Sequence, residues 1–144
     1  MEFKVMSRKD AIDFSYKKPD KECVIISIAD ATGFPAKIAE NEYIKAVLFI
    51  FFDDVDGKSV YAMTAEEARI IADFALKAQE RVPLLIVQCE AGISRSAGVC
   101  AALMKYFDGD DIPIFGNPYY KPNMHCYRMV LNALNDRDEA SQKG

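Results

Sequence analysis

Pro83-Leu84-Leu85-Ile86-Val87-Gln88-Cys89-Glu90-Ala91-Gly92-Ile93-Ser94-Arg95-Ser96 is the stretch on which the fold turns. Its first five residues are apolar without polar alternation, the pattern of a strand covered on both faces, and such strands belong to parallel sheets. A helix is expected to follow the loop and run through about Phe107, with the small residues Ala97, Gly98, Ala101 and Ala102 letting it pack close under the sheet. A cysteine therefore stands where a buried strand ends and shortly before a helix begins. Helix N-termini gather unpaired N–H groups and partial positive charge, so the loop between is a cradle for an anion. Gly92 lets the backbone turn and approach a ligand. Arg95 adds a planar fork matched to two oxygens of one phosphate, and these surroundings favour the cysteine as its thiolate.

Outward from this segment, short apolar runs alternate with amphipathic stretches, the βαβ signature of a parallel sheet covered by helices. Phe3–Met6 reads as a short strand. Ser7, with Asp10 three residues on, caps a helix to about Tyr16. Cys23–Ile28 and Ala46–Phe52 read as buried strands, with an irregular connection over 30–45 that has room for one helical turn. Thr64-Ala65-Glu66-Glu67 is a capping box, and the helix behind it is expected to bury Ile70, Ile71, Phe74 and Ala78 on one face. Residues 108–121 read as a loop, with Asn117, Tyr119 and Tyr120 on the surface. A last helix is expected from about Asn123 to Asn135, and a frayed tail over 136–144. No repeat or linker interrupts the chain, so 1–144 is expected to be one three-layer α/β domain with a central, mostly parallel sheet. The strand ending at Val87 should lie centrally and the cysteine loop at its carboxyl end, where such sheets bind ligands.

Composition narrows the function further. Twenty-two acidic against 18 basic residues leave a net charge of −4, and no Lys/Arg cluster suits nucleic acid or an anionic membrane surface. The longest apolar run, Ala46–Phe52, is far short of the roughly 18 residues a spanning helix needs. The N-terminal residues lack the apolar core of a secretion signal, and Cys23, Cys89, Cys100 and Cys126 form no CxxC pair or disulfide framework. A reducing cytoplasm and a monomer are the expectation. Cys23 and Cys100 read as core thiols, and a core or surface role for His125 beside Cys126 outweighs a Cys–His catalytic pair with Cys89.

Cys89-x5-Arg95-Ser96 after an apolar strand resembles the signature loop of the cysteine-dependent protein tyrosine phosphatases, especially their compact dual-specificity branch. The resemblance is strong over about 83–107, and the upstream strand, acidic loop and capped helix also fit. It implies hydrolysis of phosphotyrosine, and of phosphoserine or phosphothreonine as the wider class, through a cysteinyl-phosphate without metal or cofactor. By the resemblance, Cys89 attacks phosphorus. Arg95 and the amides of Glu90, Ala91, Gly92, Ile93, Ser94 and Arg95 hold the oxygens, and Ser96 assists departure from sulfur. The general acid is implied on the loop after Ala46–Phe52, about one strand-helix-strand unit before the cysteine. Asp54 and Asp56, 35 and 33 residues before it, both fit, with Asp53 nearby. Asp54 is the choice and Asp56 the second. One departure stands out: Gln88 occupies the place of the family's usual His. A loop interior without lysine or a second arginine disfavours polyphosphorylated lipids and leaves phosphoproteins or small phosphate esters as partners. The alternatives are a weak or silent phosphate-binding pseudophosphatase and, further off, a thiol-dependent arsenate reductase or sulfurtransferase.

Overall fold

The computed structural model describes residues 1–143, with side chains described through Ala140. In chain order it runs β1 (Glu2–Met6), α1 (Arg8–Ser15), β2 (Cys23–Ala29), β3 (Ile44–Phe51), α2 (Ala65–Gln79), β4 (Leu84–Gln88), α3 (Arg95–Asp108), α4 (Ile112–Phe115) and α5 (Met124–Lys143). The four strands form one sheet in the order β1-β4-β2-β3, and every pairing is parallel. The central strands β2 and β4 are buried at every residue, as their largely apolar runs require, with Ser27 and Gln88 the two polar side chains among them.

Alternation along those strands divides the core into two layers. Val24, Ile26, Leu85 and Val87 face one side and pack with α2, α3 and α5 through residues such as Ile71, Leu103 and Leu134. Cys23, Ile25, Leu84 and Ile86 face the other, against Phe14 of α1 and Ile38 of the β2–β3 connection. Full burial of each such Leu or Ile contributes about 1.5–3 kcal/mol, so the central strands anchor the sheet whose carboxyl edge carries the loop. The caps read from sequence are present. Ser7 Oγ accepts from the Asp10 amide at 3.1 Å. Thr64 Oγ1 accepts from the Glu67 amide at 3.1 Å, while Glu67 Oε1 accepts from the Thr64 amide at 2.9 Å.

Several local expectations are corrected. The third strand in sequence begins at Ile44 and ends at Phe51, and it is an edge strand, so Phe49 remains 43% exposed despite its apolar setting. Ile70 faces out. Ile71 and Ala78 are buried as expected, joined by Ala68, Ala72 and Ala75, and this mostly alanine face packs chiefly against α5. No helical turn forms between β2 and β3, whereas α4 forms inside the 108–121 segment with Pro113 in its first turn and Ile114 buried. Helix α5 continues past Asn135 to Lys143, and Arg137 holds it to Asp73 of α2 by two bonds of 2.7 and 3.0 Å. Gly144, part of the expected frayed tail, lies outside the described residues. No helix among the described residues is long and apolar enough to cross a membrane.

Candidate active site

The Cys89 loop leaves the carboxyl end of β4 and is bracketed by two other junctions. On one side, the Cys89 amide donates to the Met6 carbonyl at 3.4 Å and the Arg8 amide to the Glu90 carbonyl at 3.1 Å, which fasten the loop to the β1–α1 corner. Gly92 sits at φ +70°, and a Cβ there would meet the Ser7 nitrogen at 2.7 Å and the Met6 carbonyl carbon at 2.8 Å. Both the left-handed backbone and the close approach require glycine. On the other side, the Lys121 amide donates to Ile93 O at 2.9 Å and the Asn123 amide to Ser94 O at 3.0 Å. These bonds engage the Glu90, Ile93 and Ser94 carbonyls and, past Cys89, none of the loop's amides. Among the described residues, no protein acceptor takes the N–H groups of Glu90 through Arg95.

Cys89 is 3% exposed, and its Sγ lies 3.0 Å from Ser96 Oγ in the first turn of α3. Beneath it Gln88 is fully buried. Its Nε2 donates to the Cys89 carbonyl at 3.1 Å, and its Oε1 accepts from the hydroxyl of Ser27 on β2. Gln88 thus orders the loop with two neutral hydrogen bonds. Ser27, a lone hydroxyl in an otherwise apolar strand, went unremarked in the sequence reading although that isolation is itself a signal of a buried partner.

Arg95 is nearly buried, and both of its protein hydrogen bonds use Nη1, to the Asp30 carboxylate at 2.8 Å and the Phe52 carbonyl at 2.8 Å. Among the described residues, its Nη2 and Nε have no protein partner. Asp30, at the end of β2, was not singled out from sequence; its signal was an acidic residue directly after a buried strand.

The three aspartates after β3 separate by role. Asp53 Oδ1 accepts from the Ala31 amide at 2.9 Å and ties the β3 and β2 ends together. Asp56 Oδ1 accepts from the Lys58 amide at 2.9 Å and shapes its own turn. Asp54 is the one brought to the Cys89 loop. Its Oδ1 accepts from Ser94 Oγ at 2.7 Å and from Asn123 Nδ2 at 2.8 Å. Asn123 also donates through Nδ2 to the Val55 carbonyl at 3.1 Å and accepts from the Cys126 amide through Oδ1 at 3.0 Å, capping α5. It joins the acidic loop, the Cys89 loop and α5. Gly98 permits this junction, because a Cβ there would lie 2.4 Å from the Asn123 carbonyl oxygen.

The remaining chemical candidates stand apart. Burial pushes the Cys100 thiol up to about 12, with Asp108 adding to it, and pushes Cys23 up to about 11. Burial likewise raises Cys126 to about 12, reinforced by the charge of Asp54 and opposed by Arg95. His125 donates from Nε2 to the Met63 carbonyl at 2.8 Å, which commits the ring to the segment before α2. Its Nδ1 lies where a Cβ on Gly57 would come within 2.8 Å, so the ring packs under the acidic loop. Among the described residues, no three His, Cys, Asp or Glu side chains gather as a metal centre requires.

The sheet order and the loop at its carboxyl edge define the fold of the compact dual-specificity phosphatases. The chain superposes on human DUSP28 with a TM-score of 0.64 and 14% identity, covering 96% of this chain and 94% of that one. A mouse putative dual specificity phosphatase complexed with zinc tungstate gives a TM-score of 0.62 at 14% identity, over 94% of this chain and 83% of the other. PTPMT1 gives 0.57 at 16% identity, over 99% and 96%. No family model and no curated protein sequence matches the chain.

Proposed function

We propose that the chain is a cysteine-dependent phosphomonoesterase acting on phosphotyrosine, with phosphoserine and phosphothreonine esters as the wider substrate class. The observation that carries this is the set of six consecutive amides, Glu90 to Arg95, left without protein acceptors around Cys89 at a helix N-terminus. Nη2 and Nε of Arg95 supply the fork for two further contacts to the same oxyanion.

In the proposed first step, Cys89 Sγ bonds to phosphorus while the ester P–O bond breaks, and Asp54 delivers its proton to the leaving oxygen. Ser94 and Asn123 both bind Oδ1, which orients the carboxyl group and leaves Oδ2 for the proton. In the second step, water attacks the cysteinyl-phosphate, Asp54 takes the water's proton, and the P–S pair returns to sulfur with inorganic phosphate as product. The Ser96 hydroxyl, 3.0 Å from Sγ, stabilises that departing thiolate. The proposed domain is the whole chain acting as a monomer in a reducing cytoplasm on phosphoprotein or a small phosphate ester.

The test is hydrolysis of aryl phosphates with good and poor leaving groups by wild type, Cys89→Ser and Asp54→Asn. Cys89→Ser should be inactive. Asp54→Asn should lose roughly 10²–10⁴-fold with the poor leaving group and much less with the good one. An equal loss with both substrates removes Asp54 from the acid role. Oxyanion binding without turnover by wild type favours the pseudophosphatase reading instead.

A further inference from the structure

We infer that Asp30 is a positioning residue that aims the Arg95 guanidinium at the oxyanion, an inference that rests on the reading of the Cys89 loop as a phosphate site. A single acceptor on Nη1 would fix one point of the guanidinium and leave the plane free to swing about it. Two acceptors from different strand ends, the Asp30 carboxylate after β2 and the Phe52 carbonyl after β3, fix its direction as well, each at 2.8 Å. The fork formed by Nη2 and Nε is then held by the rigid edge of the sheet, while Arg95 itself belongs to α3.

Asp30 is braced for this role. Its carbonyl accepts from the Gly33 amide at 2.9 Å, closing a turn. The next amide, that of Ala31, donates to Asp53 Oδ1 at 2.9 Å. A Cβ on Gly33 would meet Asp30 Cβ at 3.2 Å, so the turn closes tightly on the side chain it presents. Asp53 thus holds the turn, the turn holds Asp30, and Asp30 holds Arg95. The carboxylate is 65% exposed whereas the arginine side chain is 6% exposed. An ion pair with so exposed a partner adds little to folding stability, so the arrangement serves aim rather than stability.

Positioning has a signature distinct from acid catalysis and from structural support. Asp30→Ala should lower kcat for aryl phosphates about 10- to 100-fold, the scale of a misplaced catalytic group, with little change in KM and equally for good and poor leaving groups. Asp30→Asn retains an acceptor for Nη1 and should recover most of the loss. In an Arg95→Lys background, Asp30→Ala should change nothing further, because the group it aims is gone. Full additivity in that cycle, a loss confined to poor leaving groups, or a fall in thermal midpoint that accounts for the lost activity overturns the inference. A second readout separates this from failure of the phosphatase reading. If wild type hydrolyses no aryl phosphate, that reading fails, and the Arg95 Nε–H resonance still decides the role of Asp30. A sharp signal in wild type and Asp30→Asn that broadens in Asp30→Ala supports it; an identical signal in all three overturns it.

Discussion

Replacing Gln88 with leucine tests how the loop is held from below. The side chain is fully buried and joins Ser27 on β2 to the Cys89 carbonyl, so the substitution keeps most of the volume while removing both polar bonds. A buried polar group left without its partner costs about 1–3 kcal/mol, and here two are stranded, the Ser27 hydroxyl and the Cys89 carbonyl. Extra apolar burial by leucine offsets part of that, which leaves a net loss of about 1–3 kcal/mol. Urea unfolding followed by circular dichroism measures it. In a Ser27→Ala background only the Cys89 carbonyl is stranded, so the same substitution should be about 1 kcal/mol less damaging. If Gln88→Leu matches wild type within about 0.5 kcal/mol, or if the two substitutions add fully, Gln88 is not the loop's support.

Gly98→Ala places a methyl 2.4 Å from the Asn123 carbonyl oxygen and should cost about 1–3 kcal/mol by overpacking. Because Asn123 also binds Asp54, it should slow poor-leaving-group substrates more than good ones. The three thiols raised by burial make stability fall in alkali. Their folded values of about 11–12 lie above the unfolded value of about 8.5, so above that pH the unfolded chain binds fewer protons. Their contribution is complete at neutral pH and is lost progressively from about pH 8.5 towards 11–12; a denaturation series over that range should show the decline. At pH 7, iodoacetate should modify Cys89 and leave Cys23, Cys100 and Cys126 intact in the folded protein, as peptide mapping would report.

Much of the architecture was legible because it is local. Largely apolar runs marked the two central strands, and Ser7 and Thr64 marked helix starts through contacts three residues away. What failed depended on neighbours. The run Ala46–Phe52 is as apolar as a central strand, yet β3 pairs on one side alone, and no property of its own residues reveals that. Ile70 was expected on the buried face of α2 with Ile71, Phe74 and Ala78, but α2 packs chiefly against α5 through Ile71 and its alanines, which leaves Ile70 outside. The site divides in the same way. Cys89, Gly92, Arg95 and Ser96 lie within one short segment whose spacing carries its chemistry. Asp30, Ser27 and Asn123 join it across 65, 61 and 69 residues, as partners of Arg95, Gln88 and Asp54. The choice of Asp54 among three neighbouring aspartates rested on the resemblance. The structure adds where each aspartate sits: Asp54 alone of the three bonds to Ser94 and Asn123.

The central claim is that phosphate passes through Cys89, and its most direct test is to trap the intermediate. Ser96→Ala removes the hydroxyl 3.0 Å from Sγ and should slow breakdown of the cysteinyl-phosphate more than its formation. Acid quenching of this variant during turnover of an aryl phosphate, followed by intact-mass and peptide analysis, should reveal one phosphoryl group per chain on Cys89. The Cys89→Ser chain should show neither the adduct nor turnover. Turnover that survives Cys89→Ser, or a phosphoryl group carried on any other residue, would contradict the account.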